Sequence, residues 1–524
     1  MEGKSLSSPA NILISAFDEE EPESEGKKIS VNPVISKVAS IYERVRNAMD
    51  YRDQEVILRA AIERILKRRT LFGGTAKTIA APLVRELVWA RYFPDESVSE
   101  SATDRVKERI DLYIKLRQEI LKKHTSFSEK TINEWIYHLM SSDIEHALRL
   151  LKKKEYMCNF MLKVLRENVS ILDEDEQQRD IQLFIAIHKS YAKEDLALLR
   201  FHLFNQYFGK LKEENLNATA DNFLKGFKEI NRQLSYPRKD KIVNYVKDKT
   251  VVFFVLEDLL NIEQGEIHDL VNNEQDFRKI VYSICEARYG GIGAKVRTAI
   301  IRSIMFLLLT KAFFALTIEG TFETIFYGGI IWSSTLINII FPPFLMATVG
   351  MFIKTPDLDN SKRIFNYVRS MLLDQTPSFN NKLVVKTKPD IMKPFLNSIF
   401  SFLWLITFVL GFGAIFLILE KLSFNPFSMV VFVFFLAIVS FLSYRINQVA
   451  HIYSIEPRKN ILTPIADFLF IPFVAVGRRL TDGISQINVF LFVLDFVIEA
   501  PFKGLFSFFE QWFLFLQGKR EELE

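Results

Sequence analysis

Residues 395–419 read FLNSIFSFLWLITFVLGFGAIFLIL and residues 427–444 read FSMVVFVFFLAIVSFLSY, and neither stretch contains a charged residue. An α-helix needs about 20 apolar residues to cross the roughly 30 Å hydrocarbon core of a bilayer. Both stretches therefore predict membrane-spanning helices, joined by a short turn that contains Glu420 and Lys421. The chain is expected to be an integral membrane protein.

Two more apolar stretches, at about 299–318 and 324–353, precede this pair of helices. The acidic segment 319–323, EGTFE, separates them and is predicted to be a tight turn. The sequence thus predicts a first transmembrane hairpin at 299–353 and a second at 394–447.

The distribution of Lys and Arg orients the two hairpins, because cytoplasmic loops of membrane proteins carry an excess of these residues. The short turns between paired spans carry acids and only one cation, Lys421. The basic segment 354–393 is therefore predicted to be a cytoplasmic loop, and both termini are predicted to be cytoplasmic. Further cations lie before or at the start of the first span, between the second and third, and after the fourth; they include Lys295, Arg297, Arg302, Lys354, Lys362, Arg363, Arg369, Lys382, Lys386, Lys388, Lys393, Arg445, Arg458 and Lys459.

The first half of the chain has the pattern of a soluble helical protein. In residues 31–288, apolar side chains recur at intervals of three and four, which is typical of helices with one buried face. No β-type alternation interrupts this pattern, so it predicts a cytoplasmic α-helical domain, either a bundle or a solenoid. Residues 1–30 are polar and acidic and are predicted to be a disordered tail. Residues 289–298 are rich in glycine and cations and are predicted to be a hinge.

The last part of the chain, residues 448–524, contains apolar and aromatic pieces that prolines and charged residues interrupt. Each piece is too short to span a bilayer. Such segments are typical of amphipathic or re-entrant helices at the membrane interface. The predicted fold is therefore all-α: a soluble helical bundle or solenoid, a four-helix transmembrane region and C-terminal interfacial helices.

Several functional classes find no support in the sequence. The net charge of +4 is too small and too mixed for nucleic-acid binding. Cys158 and Cys285 are too few for a disulfide framework or a cysteine-rich metal site. Residues 71–78, LFGGTAKT, end like a phosphate-binding loop but have Leu71 and Ala76 where that loop needs glycine. The seven histidines form no recognised metal motif, so we predict no catalytic, cofactor or metal residue and lean against an enzyme.

A few residues in the membrane half are candidates for function. Lys311 lies in the middle of the first span, where a charge costs about 2.5–3.5 kcal/mol on insertion scales. It either contacts a substrate or ion, or its ammonium extends towards the headgroups or a helix C-terminus. Asp495 and Glu499, one turn apart, are the nearest acidic partners that the sequence suggests. Pro342 and Pro343 are expected to kink or break the second span, and broken spans mark sites in some transporters.

Three stretches of the membrane half carry a resemblance to a known family. They are LTKAFFALTIE at 309–319, NIIFPPFLM at 338–346 and NVFLFVLDFVIEAPFK at 488–503. They resemble an uncharacterised family of multi-pass membrane proteins from metagenome-derived, small-genome bacteria. The resemblance covers mainly residues 295–524 and implies a bacterial cytoplasmic membrane. It implies no activity, so no residue role follows from it.

Three hypotheses of function remain. The first is a non-enzymatic membrane-anchored scaffold or interaction protein, whose cytoplasmic helical domain binds an unknown protein partner. The second is a transporter or channel component that uses Lys311 and a break at Pro342 and Pro343. The third, a membrane enzyme, lacks a paired base or nucleophile. The expected non-protein partner is the bilayer with its anionic headgroups, and a homo-oligomer is left open.

Overall fold

The computed structural model describes residues 5–19, 27–50, 54–71, 73–124, 127–149, 152–386, 393–456 and 471–480, with Phe508, Trp512, Phe515 and Leu516. These residues are mostly helical, which confirms the predicted all-α class. Their contacts form two compact units. The helical unit comprises the described residues within 6–250 and 375–386, and the membrane unit comprises those within 251–374, 393–456 and 471–480.

The chain up to residue 262 forms eleven α-helices among the residues described. In the helical unit, the apolar faces of α3 to α6, α9 and α10 share one core, in which Trp135, Leu139 and Phe223 are buried. This arrangement agrees with the spacing of apolar residues in the sequence. The helices are α1 (Ser8–Asp18), α2 (Pro33–Asp50), α3 (Ile57–Leu71), α4 (Ala76–Trp89), α5 (Glu100–Lys123), α6 (Glu129–Leu148), α7 (Lys152–Arg166), α8 (Glu176–Ser190), α9 (Leu196–Phe208), α10 (Leu216–Leu234) and α11 (Lys239–Ile262).

Helix α1 corrects the prediction that residues 1–30 form a disordered tail. The Ser7 side chain caps the start of α1, and the helix packs on α7 with Leu13, Ile14 and Phe17 buried. These three residues form one apolar stripe, which provides the burial that orders the helix. The acidic run starts only at Asp18. The overall composition of residues 1–30 is polar because of this run, although an apolar segment precedes it.

A short parallel pair of strands was not expected from the sequence. Strand β1 (Val169–Ile171) pairs with β2 (Leu383–Val385), with Val169 opposite Leu383. Asn168 supports the pairing, because its side chain donates to the Pro377 carbonyl and accepts from the Phe379 amide. Part of the predicted basic loop 354–393 therefore belongs to the helical unit, and another part of it, Leu358–Leu373, forms a helix.

The membrane unit contains four helical segments that are long and apolar enough to cross a bilayer: Glu274–Tyr327, Trp332–Phe352, Ser398–Lys421 and Pro426–Ala450. Apolar residues of α13, α15 and α18 form its core. Its elements after α11 are α12 (Ile267–Asn272), α13 (Glu274–Phe314), a π-helix (Ala315–Glu319), α14 (Gly320–Tyr327), α15 (Trp332–Phe352), α16 (Leu358–Leu373), α17 (Lys393–Lys421) and α18 (Pro426–Ala450).

Two predicted boundaries of the first hairpin are wrong. The predicted hinge 289–298 lies within α13 and is helical. A helical glycine costs about 1 kcal/mol relative to alanine, but Ile292 and Val296 are buried in the core of the membrane unit and offset that cost. The predicted acidic turn 319–323 is also helical, and the chain reverses near Gly328, which has a φ of 74°.

Pro342 and Pro343 do not break the second span, so the predicted break is wrong. Both are buried inside α15, which runs without interruption from Trp332 to Phe352. Proline has no backbone N–H, so the carbonyl four residues earlier lacks the hydrogen-bond donor that it has in a regular α-helix. Packing of α15 against α13 and α18 maintains the helix despite this loss.

Candidate functional site

Lys311 forms an ion pair with Glu319 inside the membrane unit. The Lys311 ammonium donates to Glu319 Oε1 over 2.5 Å, and both side chains are completely enclosed, with 0% exposure. Enclosure excludes the interpretation that Lys311 extends towards the headgroups. A charge buried in an apolar medium is tolerated when it is paired and hydrogen-bonded, and Glu319 meets this requirement.

Residues from two other helices complete the surroundings of this pair. Asn338 in α15 donates from Nδ2 to Glu319 Oε2 over 2.6 Å. The Lys311 nitrogen lies 4.7 Å from the ring centroid of Phe435 in α18, within the range of a cation–π interaction. The pair therefore connects α13, α15 and α18 through polar contacts in an apolar region.

Glu323 is the second buried acid of the cluster, and it lies where two helices begin. Its Oε2 accepts from the Ile331 amide over 2.8 Å, at the start of α15. Its Oε1 accepts from Asn425 Nδ2 over 2.7 Å and from the Ser428 hydroxyl over 3.3 Å, at the start of α18. Helix N-termini carry partial positive charge, so this environment stabilises a carboxylate.

The π-helix Ala315–Glu319 explains how both acids face inwards. A π-helical turn contains an extra residue relative to an α-helix, so it rotates the residues that follow it. Glu319 and Glu323 are four residues apart and share the inner face after this rotation. We name the set Lys311, Glu319, Glu323, Asn338, Asn425 and Ser428 the polar cluster; all six are buried.

The candidate residues predicted from the sequence differ in where the structure places them. Lys311 is part of the polar cluster. Pro342 and Pro343 are buried in α15 just beyond Asn338. Asp495 and Glu499 lie outside the described residues, whereas the observed partner of Lys311 is Glu319.

The sequence pattern did not indicate the acids and amides of the polar cluster. It assigned Glu319 and Glu323 to an exposed turn because acids usually lie in water. Their spacing of four, directly after an apolar helix that contains Lys311, was the available signal, since it places two acids on one helix face.

A groove on the helical unit is a second candidate site. It lies between α8, α9 and α10, has a volume of about 630 Å³ and is lined with apolar groups from Ile181, Leu203 and Ile230. Tyr207 also lines the groove and is 47% exposed. A partly exposed tyrosine beside apolar side chains is typical of a protein-binding surface.

The edge of this groove is positively charged. Lys225, Lys228 and Arg232 line it, and all three are exposed. Glu229 is the acid among them, and it is paired with Arg232 over 2.7 Å. The two lysines therefore give the groove a net positive charge, and the groove is complementary to an acidic segment.

Comparisons with protein-family models, with curated proteins and with solved structures find no match for the chain.

Proposed function

We propose that the protein is a non-enzymatic, membrane-anchored interaction or scaffold protein whose helical unit binds an acidic, amphipathic segment of a partner protein. The groove between α8, α9 and α10 is the observation that carries this proposal. Its apolar lining would receive the apolar face of the segment, and Lys225 and Lys228 would attract its acids. Charge complementarity of this kind increases association rates and specificity.

The polar cluster supports the anchoring part of the proposal. Lys311 and Glu319 are paired and enclosed, and Glu323 accepts hydrogen bonds at the starts of α15 and α18. Such contacts hold helices in one arrangement. A path for a solute would instead need polar groups exposed to water. We propose that the membrane unit is a fixed anchor in a bacterial cytoplasmic membrane, with flanking cations near anionic headgroups.

Reversal of the groove's charge is expected to abolish partner binding. A photoreactive amino acid in place of Tyr207 should crosslink the full-length protein to a partner in intact cells. The double variant Lys225→Glu and Lys228→Glu should reduce this crosslink at least about tenfold, because like charges across an interface cost several kcal/mol. The measurement is the yield of the crosslinked band, with the partner's segment identified by mass spectrometry.

A matched control changes the same charge elsewhere on the helical unit. Lys107→Glu with Lys130→Glu alters two exposed lysines that do not line the groove, and it should leave the crosslink unchanged. Equal crosslinking in both double variants, or a crosslinked segment without acids, would contradict the groove's proposed role.

A transporter or channel component is the second candidate, and the ion pair beside a π-helix is the observation that favours it. This alternative predicts that purified protein in vesicles conducts protons or ions, and that Lys311→Met with Glu319→Gln stops the flux. The anchor proposal predicts no flux above that of empty vesicles for either protein.

A further inference from the structure

A cluster of two histidines and a glutamate lies inside the helical unit, outside the groove. His188 is in the last turn of α8, Glu194 is in the connection to α9, and His202 is in the middle of α9. His188 Nδ1 lies 2.9 Å from Glu194 Oε2, and His202 Nε2 lies 3.2 Å from the same oxygen. The three atoms all lie within 4.8 Å of one another.

The local backbone holds Glu194 in this position. The Glu194 amide donates to the His188 carbonyl over 3.1 Å, and Lys193 has a φ of 56° that turns the chain back. Asp195 caps α9 by accepting from the Ala197 and Leu198 amides. The α8–α9 connection is thus fixed at both ends, and the carboxylate between them is oriented before any ligand binds.

The donor set matches the requirements of zinc. Zn²⁺ binds imidazole nitrogen at about 2.0–2.1 Å and carboxylate oxygen at about 2.0–2.2 Å, usually in a tetrahedron. Two such ligands of one ion lie about 3.4 Å apart by tetrahedral geometry. The two His–Glu separations of 2.9 and 3.2 Å are close to this value, and the two histidine nitrogens lie within 4.8 Å of each other. Side-chain rotations would bring the three ligands around one ion.

Two further observations point to a ligand. His202 Nε2 is buried and makes no hydrogen bond of acceptable geometry. The Phe184 ring lies 4.1 Å from the His188 ring and 5.9 Å from the His202 ring, so an apolar ring packs against both imidazoles. The His146 ring lies 5.5 Å from that of His202. A nitrogen buried without a hydrogen bond costs free energy, and a bound metal would satisfy it.

A cavity of about 260 Å³ lies beside the cluster and is lined by Glu194, Glu145 and His146. Glu145 Oε2 is buried and has no hydrogen-bond partner. Burial raises the pKa of Glu145 to about 7. Zinc sites with three protein ligands keep a fourth position for water or another ligand, and this cavity supplies the space for it.

We propose that His188, Glu194 and His202 bind Zn²⁺ in the helical unit, with the fourth position open to the cavity that Glu145 and His146 line. Without metal, Glu194 is hydrogen-bonded to His188 Nδ1, and His202 Nε2 lies 3.2 Å from the same carboxylate without a hydrogen bond of acceptable geometry. The site lies outside the groove and does not depend on the proposed function. Sequence patterns do not predict this site, because the three ligands match no known spacing motif and meet only when α8 packs against α9.

Metal binding by the full chain tests this site. The protein is purified in detergent with a histidine-free affinity tag, stripped with chelator, and dialysed against Zn²⁺ or Co²⁺. We expect one tightly bound ion per chain and the visible absorption bands of four-coordinate Co²⁺. His202→Gln and Glu194→Gln should each weaken Zn²⁺ binding at least about a hundredfold, because even the loss of an outer-shell partner costs 10- to 100-fold.

His268→Gln is the matched control, because His268 is exposed and lies in the membrane unit; it should bind Zn²⁺ as the unmodified chain does. Absence of binding at micromolar Zn²⁺, or equal binding by His202→Gln, would overturn the proposal. Should the ligand variants fail to fold, X-ray absorption of the zinc-loaded unmodified chain decides. A spectrum that shows two imidazole ligands on the zinc ion supports the proposed site, and a spectrum that shows fewer than two refutes it.

Discussion

Lys311→Met is expected to destabilise the membrane unit by about 3–5 kcal/mol, the cost of removing one partner of a buried ion pair. The substitution leaves Glu319 enclosed without its cation, although Asn338 still donates to it. The double variant Lys311→Met with Glu319→Gln should recover most of this loss. Both charges are then gone, and the glutamine can still accept from Asn338. Unfolding in mixed micelles measures the free energies of the unmodified protein, of the single variants Lys311→Met and Glu319→Gln, and of the double variant.

The double-mutant cycle isolates the interaction between Lys311 and Glu319 from other effects of each substitution. Lys421→Met is the matched control, because Lys421 is an exposed lysine at the end of α17. Surface substitutions usually change stability by less than about 0.5 kcal/mol. If Lys311→Met has no larger effect than Lys421→Met, the ion pair does not stabilise the membrane unit.

Glu323→Leu should destabilise the membrane unit by about 3 kcal/mol or more. It removes the acceptor of two buried side chains, Asn425 and Ser428, and of the partly buried Ile331 amide. The Thr335 hydroxyl, 3.5 Å away, also loses this acceptor. Each buried donor left unsatisfied costs about 1–3 kcal/mol. Hydrogen exchange should become faster in the first turns of α15 and α18, because these turns lose their shared acceptor.

Two further variants test whether the effect of Glu323→Leu is due to the loss of the buried carboxylate. Glu323→Gln should be intermediate, since its amide offers one acceptor and two donors to a site filled with donors. Glu420→Leu removes an exposed acid at the end of α17 and should change neither the stability nor the exchange rates of α15 and α18. Unchanged exchange in Glu323→Leu would show that the carboxylate does not hold the two helix starts.

The sequence was sufficient for the features that depend on apolar periodicity. The uncharged runs at 395–419 and 427–444 predicted α17 and α18, and the structure places Asn425 as the cap of α18 with Pro426 in its first turn. Hydrophobic patterning predicts such elements because the periods of helix and strand differ. The helical nature of the first half was predicted for the same reason.

The features that the sequence did not predict depend on contacts between distant residues. Composition suggested that Glu319 and Glu323 were exposed, but Lys311, Asn338 and Asn425 supply the partners that bury them. Spacing patterns along the sequence do not predict these partners, because the partners lie in α13, in α15 and at the start of α18. The cluster of His188, Glu194 and His202 was overlooked for the same reason.

The claim that both hairpins cross the membrane is tested most directly by cysteine accessibility in intact cells. After Cys158 and Cys285 are replaced, single cysteines are placed at Tyr327, Ser423 and Ser378, all of which are exposed. We predict that Tyr327→Cys and Ser423→Cys react with an impermeant maleimide from outside, and that Ser378→Cys reacts only after permeabilisation. Labelling of Tyr327→Cys only after permeabilisation would contradict the account, because the first hairpin would then not cross the membrane.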